Sequence, residues 1–436
     1  MKTRPLFLLA VLLFPLGSPL SAAVVQISGG GTALDGPWAA ATPGTIFEIT
    51  DSLTYSPAVK LIAEAATHNN VTLRAAPSQT PTINFTIGAF DPFLVRAEVA
   101  GLQIGSNSGG RIRMECGGGL LGIIQLNDAR QVTLENLELV GVSGSSDCAV
   151  RIDAATPADS SPRVFVINNC IFRNWNKLDD GVLYLREVPG SASVNDSYPA
   201  SLDITITDCL FDNVIRAWLV RQAGDHGAVT DRSKLHIENC RVINPTASGS
   251  LCIMFGDFID VTIHNLLATR GSAGYSFTAG DLFYGTGRGL NLTITRSAFN
   301  RGRWHVGQGA TVVIDHCDMI SETGGIYIDP SATGSVSATN SNFISTAGSS
   351  LFSQAAGSPT LISDYNNCPQ GYSGWTAGPH DVSISDPGYA DVPNDWRVSA
   401  SALVGDASDG GDIGSAIFLD PFDNVVPVEL SEFVVN

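Results

Sequence analysis

The stretch Phe165–Phe172, with the sequence FVINNCIF, decides the fold, and its pattern returns as ITITDCLF at Ile204–Phe211. Apolar residues two apart mark one face of a β-strand. The fifth residue, Asn169 or Asp208, interrupts the alternation and is followed by a second short apolar segment. Because Asn and Asp tolerate left-handed backbone angles, each copy is predicted to be two short strands joined by a one-residue bend.

The same pattern recurs along most of the chain at unequal intervals, as expected of a structural repeat with insertions. The other copies are Val132–Leu139, Leu235–Val242, Val261–Ala268, Leu292–Phe299, Val312–Met319 and Val336–Phe343. The bend residues predicted to stack are Asn136, Asn169, Asp208, Asn239, Asn265, Arg296, His316 and Asn340. Arg296 and His316 depart from the Asn/Asp pattern, so we expect the stack to be imperfect there.

A third short strand is predicted between successive copies of the repeat. These segments are residues 182–186, 218–221, 251–255, 276–279, 304–307, 326–329 and 351–354. Three strands per turn predict an all-β fold: a single-stranded right-handed parallel β-helix of about nine to eleven turns with a cap at each end. At a rise of about 4.8 Å per turn, the rod would be about 45–55 Å long. The competing interpretation is an array of β-sandwiches, which would have hairpin turns and no stacked bends.

The composition limits the class of protein. Of 436 residues, 44% are hydrophobic and 15% are charged, which argues against intrinsic disorder. Lys plus Arg number 24 and Asp plus Glu 42, so the net charge is 24 − 42 = −18. Such an acidic chain lacks the basic surface that nucleic-acid binding requires.

The two ends of the chain indicate export. Residues 1–23 begin with basic residues, continue with a short apolar run and end with small residues, as in a secretory signal peptide. No later apolar run is long enough to cross a membrane, so we expect a secreted protein without a membrane span in the mature chain. The predicted organisation is 1–23 signal peptide, 24–70 N-terminal cap and first strands, 71–385 β-helix, 386–420 closing segment and 421–436 tail.

Four of the eight cysteines occupy the inward position directly after a bend: Cys170, Cys209, Cys240 and Cys317. An even number of cysteines in an exported protein first suggests disulfides. Equivalent atoms on adjacent turns lie about 4.8 Å apart, wider than the Cβ separation of a disulfide, so a row of buried free thiols is favoured. A metal cluster is the third alternative, disfavoured because ligands in a row do not converge.

The Asn-Cys and Asn-Leu bends resemble those of the pectin-lyase-like superfamily of secreted β-helix proteins, over most of the mature chain. Residues 33–50 resemble the N-terminal cap of that superfamily, and residues 386–418 resemble its closing segment. The resemblance implies a binding groove along the sheet formed by the third strands. Residues 187–201, 222–233 and 280–290 are the long insertions expected to wall it.

Two strand ends, LYLRE at 183–187 and WLVRQAGDHG at 218–227, resemble short motifs of the chondroitinase-B and alginate-lyase type. In those enzymes a Lys and an Arg on neighbouring turns move a proton beside a carboxylate neutralised by Ca²⁺. Here Arg186 stands where the Lys is expected, and Arg is a poor base. The candidate catalytic residues are Arg186, Arg221, His305 and Tyr327. The candidate substrate-binding residues are Tyr184, Glu187, His226 and Asp329, and the candidate Ca²⁺ ligands are Asp179, Asp180 and Asp225.

Ordinary explanations compete with each of these assignments. The stacked Arg186 and Arg221 are equally well explained by a surface charge network with nearby acidic residues. For His226 the ordinary explanation is a turn that contains Asp and Gly. For Asp179 and Asp180 it is a solvated turn before Gly181.

Two functions remain open at this point. The first is a polysaccharide lyase, or another glycan-cleaving enzyme such as a glycoside hydrolase, that acts on uronic-acid chains; a lyase would do so by β-elimination. The second is a monomeric, non-catalytic β-helix that binds glycans or serves at the cell surface or matrix. The tail segment VPVELSEF at 426–433 favours the second, because it resembles the junction before a sorting domain in exported bacterial proteins.

Overall fold

A computed structural model gives the fold. It describes residues 22–86, 92–116, 122–141, 148–153, 163–175, 182–186, 202–214, 217–220, 233–244, 253–255, 259–270, 275–279, 290–300, 303–306, 310–321, 326–328, 334–346, 348, 352–354, 360–392 and 395–415.

Short strands make up nearly all regular structure in these residues. In the first part of the chain the elements are β1 (Val24–Ile27), α1 (Asp35–Ala39), β2 (Ile46–Ile49), β3 (Thr54–Tyr55), β4 (Leu61–Ala63), α2 (Ala65–His68), β5 (Thr72–Ala75), β6 (Thr82–Phe85), β7 (Phe93–Val95), β8 (Leu102–Ile104), β9 (Ile112–Cys116), β10 (Gly122–Asn127), β11 (Gln131–Glu135), β12 (Leu137–Val140) and β13 (Cys148–Asp153).

The central part continues with strands of similar length. They are β14 (Arg163–Asn168), β15 (Ile171–Arg173), β16 (Leu183–Arg186), β17 (Leu202–Thr207), β18 (Leu210–Asp212), β19 (Trp218–Val220), β20 (Ser233–Glu238), β21 (Arg241–Asn244), β22 (Ile253–Phe255), β23 (Ile259–His264), β24 (Leu267–Arg270) and β25 (Tyr275–Ala279).

The last part of the regular structure is built in the same way. Its strands are β26 (Asn291–Thr295), β27 (Ala298–Asn300), β28 (Arg303–Val306), β29 (Thr311–Asp315), β30 (Asp318–Ser321), β31 (Ile326–Ile328), β32 (Ser335–Thr339), β33 (Asn342–Ser345), β34 (Phe352–Gln354), β35 (Thr360–Asp364) and β36 (Tyr372–Ser373).

The strands form three parallel sheets. Along most of the chain, each strand pairs with the strand three places later in the sequence. Sheet 1 has 13 strands, from β1 through β11 and β14 to β35; sheet 2 has 11, from β3 to β33; sheet 3 has 12, from β4 to β36. This arrangement is the predicted right-handed parallel β-helix. The longest sheets exceed the predicted nine to eleven turns, because residues 24–70, predicted as the N-terminal cap and first strands, already supply strands to all three sheets.

The predicted bends are confirmed at each of the eight positions. All eight residues have positive φ angles between 46° and 54°, including Arg296 and His316. Some neighbouring bend residues bond along the stack: Asn239 donates to Asp208 over 3.2 Å, and Asn265 donates to Asn239 over 2.8 Å. The predicted third strands of each turn are likewise confirmed as the strands of sheet 3 from β16 to β34.

Seven of the cysteines lie in the described residues, and all seven are buried free thiols. In the row after the bends, Cys209 donates to the carbonyl of Thr207 over 3.1 Å, and Cys240 donates in the same way to Glu238 over 3.3 Å. Ser297 takes the same place further along and donates to Thr295 over 2.9 Å. The row therefore holds small residues that satisfy a backbone carbonyl inside the core, and burial raises the pKa of the Cys209 thiol well above its usual value.

The ends of the solenoid are covered differently. At the N-terminal end, helix α1 places Trp38 over the core, where its ring packs against Phe47 and Phe93. At the C-terminal end the chain does not stop at the last turn: residues 386–392 and 395–415 turn back along the outer face of sheet 2, where Trp396 packs on Leu267 and Ala298. The sequence predicted a closing segment here but not this lateral course.

Candidate functional site

The strand register of sheet 3 aligns one residue from each strand into an outer row. The members are Ile62, Leu94, Gln125, Arg151, Tyr184, Leu219, Met254, Thr278, His305, Tyr327, Ser353 and Ser373. Where the structure describes its side chains, the row lies on the outer side of the sheet: Gln125 is partly exposed, whereas its neighbours Ile124 and Leu126 are buried. Alternate residues of a strand point to opposite faces, so partners in register share a face.

Three predicted site residues fall on this outer row: Tyr184, His305 and Tyr327. Arg186 lies two residues beyond Tyr184 and pairs in register with Asp153, which itself pairs with Asn127. These four positions lie on strands of sheet 3, the sheet that the third strands were predicted to form. Their chemical roles stay predictions.

The strand order restricts how these four positions can act together. Arg186 is on β16 and His305 on β28, four strands further along sheet 3. At about 4.8 Å per strand, the two positions are about 19 Å apart, far beyond the reach of one proton-transfer centre. His305 and Tyr327, in contrast, are direct partners on adjacent strands. The Arg and the His/Tyr positions therefore correspond to separate parts of an extended surface.

Tyr184 is more enclosed than an open binding platform would be. Its residue is 8% exposed and packs with Cys148. A tyrosine in this setting offers a rigid amphipathic edge at the surface, with most of the ring used for packing.

Gln125 and Arg151 are among the polar residues of the outer row that sequence analysis missed. They pair with each other in register, and Arg151 pairs with Tyr184 on its other side. Both are partly exposed. The signal was present in Cys148–Asp153, where Val150 and Ile152 alternate with Arg151, but no copy of the bend pattern drew attention to it.

The remaining candidates lie outside the described residues. These are Arg221, Glu187, His226 and Asp329, together with the three predicted Ca²⁺ ligands Asp179, Asp180 and Asp225. The long insertions expected to wall the groove also fall there almost entirely. Within the part of the chain that the structure describes, no three His, Cys, Asp or Glu side chains form a metal-binding group.

On sheet 2, several arginines belong to a network of ion pairs. Arg113 lies 3.3 Å from Glu138, which is also 3.3 Å from Arg173, and Arg173 continues to Asp212 at 3.6 Å. Arg113 also contacts Glu115. This alternation of charges is a structural network of ion pairs on the outer side of sheet 2.

No family model matches this chain, and no curated protein matches it either. Among the described residues, no helix has the length and apolar character needed to cross a bilayer. The class of protein that the structure defines is the parallel β-helix.

Proposed function

We propose that this protein is a secreted β-helix that associates with polysaccharides along the outer row of sheet 3. The observation that carries the proposal is the register that aligns Gln125, Arg151 and Tyr184 on neighbouring strands. Amide, guanidinium and phenol groups are the types that orient sugars by hydrogen bonding.

The dimensions of the row support an extended ligand. Twelve strands contribute to sheet 3, so the row spans eleven steps of about 4.8 Å, or about 53 Å. A polymer can contact many such steps at once, and several weak contacts on one chain give a useful total affinity.

The placement of the cations supports an acidic glycan. Arg151 and Arg186 are on adjacent strands, and Arg186 pairs in register with Asp153, two residues after Arg151. Arginine binds carboxylates and sulfates in a bidentate manner, which would offset the repulsion expected from a chain of net charge −18. Uronate or sulfate groups are therefore the proposed recognition elements, and the leader at residues 1–23 supports export to where such glycans occur.

Binding should be measured by affinity electrophoresis in gels that contain alginate, pectate or chondroitin sulfate. Arg151→Gln should weaken binding at least tenfold, because it removes a charged hydrogen-bond donor worth about 1.5–3 kcal/mol. Lys234→Gln is the matched control, since Lys234 is an exposed cation on sheet 1. Equal mobility shifts for the two variants, or no binding to any acidic glycan, would refute the proposal.

A second candidate is a uronate-specific polysaccharide lyase. It is favoured by one observation, the direct pairing of His305 with Tyr327, since the two residues could serve as base and acid in β-elimination. Ultraviolet absorbance of unsaturated products tests it on the same three glycans. Glycan binding without product formation excludes the lyase, and product formation that survives in His305→Ala excludes this assignment of the base.

A further inference from the structure

The returning segment at the C-terminus, residues 386–392 and 395–415, is here called the strap. Its apolar anchor is Trp396, fully buried against Leu267 and Ala298 on the outer face of sheet 2 and in edge-to-face contact with Tyr389. These strap contacts reach strands β24 and β27, so the strap lies across several turns instead of capping only the end.

The polar anchors of the strap lie one or two turns further along the solenoid. The buried carboxylate of Asp318 accepts hydrogen bonds from the Tyr389 hydroxyl over 2.7 Å and from the Ser415 backbone N–H over 2.6 Å. The Asn340 side-chain oxygen accepts one from the Ser408 backbone N–H over 2.8 Å. The donors to Asp318 in these contacts are uncharged, so the strap is attached to Asp318 by hydrogen bonds and not by an ion pair.

His316 forms the ionic contact between a bend and the strap. It occupies a position of the bend stack, is 8% exposed, and has one carboxylate on each side of its ring. Nδ1 lies 3.1 Å from Oδ2 of Asp315 in its own turn, and Nε2 lies 3.3 Å from Oδ1 of Asp409 in the strap. The contact with Asp409 is a charge contact without hydrogen-bond geometry, because Nε2 is buried and has no hydrogen-bond partner among the described residues.

We propose that His316 is a pH-sensitive fastener of the strap, which holds Asp409 while the imidazole is protonated and loosens that part of the strap when it is neutral. The reason is electrostatic. A protonated ring carries a positive charge between two carboxylates and attracts both, whereas a neutral ring has no charge and only one N–H group. A neutral ring turns a lone pair toward one of the two carboxylates, which then repels it.

The charged groups around His316 support a charge change near neutral pH. The Asp315 carboxylate raises the pKa of His316 above its usual 6.5; burial opposes this, Asp409 adds to it, and Arg296 of the preceding bend reduces it. Asn340, in the following bend, is neutral. Because the folded pKa is raised, the stabilisation is fully present below pH 6.5 and is lost as the pH rises through the folded value. Asp409 is itself fixed by the Gly411 backbone N–H over 2.9 Å, which lowers the pKa of this carboxyl.

The test is hydrogen–deuterium exchange of the whole protein across neutral pH, with rates corrected for intrinsic exchange. The protection of peptides from 400–415 should fall with rising pH, by about tenfold for each unit by which folding raises the pKa. Peptides from β11 and β12, far from the strap, should keep their protection.

Variants connect the effect to His316. His316→Asn keeps a residue suited to the bend, as at Asn265 and Asn340, and should abolish the pH dependence while the solenoid stays folded. Asp409→Asn should abolish it as well. His380→Asn is the matched control, because His380 pairs with Asp364 at 3.0 Å without contacting the strap in any described ion pair. Constant strap protection across the pH range in the unaltered protein overturns the proposal, and so does an unchanged pH dependence in His316→Asn.

Discussion

Replacement of Asn239 tests the physical basis of the bend stack. Asn239 has a φ of 52°, donates to Asp208 over 3.2 Å and accepts from Asn265 over 2.8 Å. Asn239→Ala puts a residue whose side chain cannot form hydrogen bonds into the left-handed region. This costs about 1–2 kcal/mol of the free energy of unfolding. It also removes two hydrogen bonds of about 0.5–1.5 kcal/mol each, for a total loss of about 2–5 kcal/mol.

Asn239→Gly separates the two contributions. Glycine adopts positive φ without strain, so only the hydrogen bonds are lost, about 1–3 kcal/mol in total. The entropy of glycine in the unfolded chain adds about 0.4–1 kcal/mol to that loss. The Gly variant should therefore remain the more stable of the two.

The assay is urea-induced unfolding, combined with hydrogen exchange of β20 and β21 because solenoid turns can open locally. Asn291→Ala is the matched control: Asn291 also donates to an Asp over 2.8 Å, but it is exposed and lies within a strand. Its loss should stay near 0.5 kcal/mol. An Ala variant as stable as the unaltered protein, or more stable than the Gly variant, would refute the account of the bend.

Three further predictions concern the core, the N-terminal cap and the strap. Cys209→Ser should cost only about 1 kcal/mol in urea unfolding, because Ser297 makes the equivalent bond to a backbone carbonyl; a loss above about 3 kcal/mol would contradict this. Burial lowers the pKa of His68, so the contribution of His68 to thermal stability should be complete above pH 6.5 and should fall as the pH drops toward the folded pKa. His68→Gln should reduce this pH dependence of thermal stability, and an unchanged pH dependence would exclude His68 as its source. Tyr389→Phe should weaken the strap by about 1.5–3 kcal/mol, seen as faster exchange in 400–415, because Asp318 loses a donor; an unaltered exchange rate would show that the bond contributes little.

The repeat itself was readable from the sequence because its determinants are local. Alternating apolar residues define each strand, and one Asn or Asp defines each bend, so eight copies predict eight bends without any knowledge of the partners. The same regularity predicted which strands form sheet 3. It also gave the position of Arg186 relative to Tyr184, because side chains alternate strictly along a strand.

The number of turns was less predictable, because the early strands lack the full pattern. Strands such as Thr54–Tyr55 and Leu61–Ala63 are too short to show periodicity, yet they pair with later strands in sheets 2 and 3. Only their hydrogen bonding to a neighbouring turn identifies them as part of the solenoid.

The sequence by itself determined the parallel β-helix, its bends and its row of buried thiols, since each depends on residues close together in the chain. The tertiary structure decided the separation of Arg186 from His305, the outer row with Arg151, and the course of the strap over sheet 2. These depend on how many turns lie between two strands and on contacts such as Asp318 with Ser415, which are 97 residues apart. No local pattern encodes such contacts, because they form only when stacked turns bring distant segments to the same face.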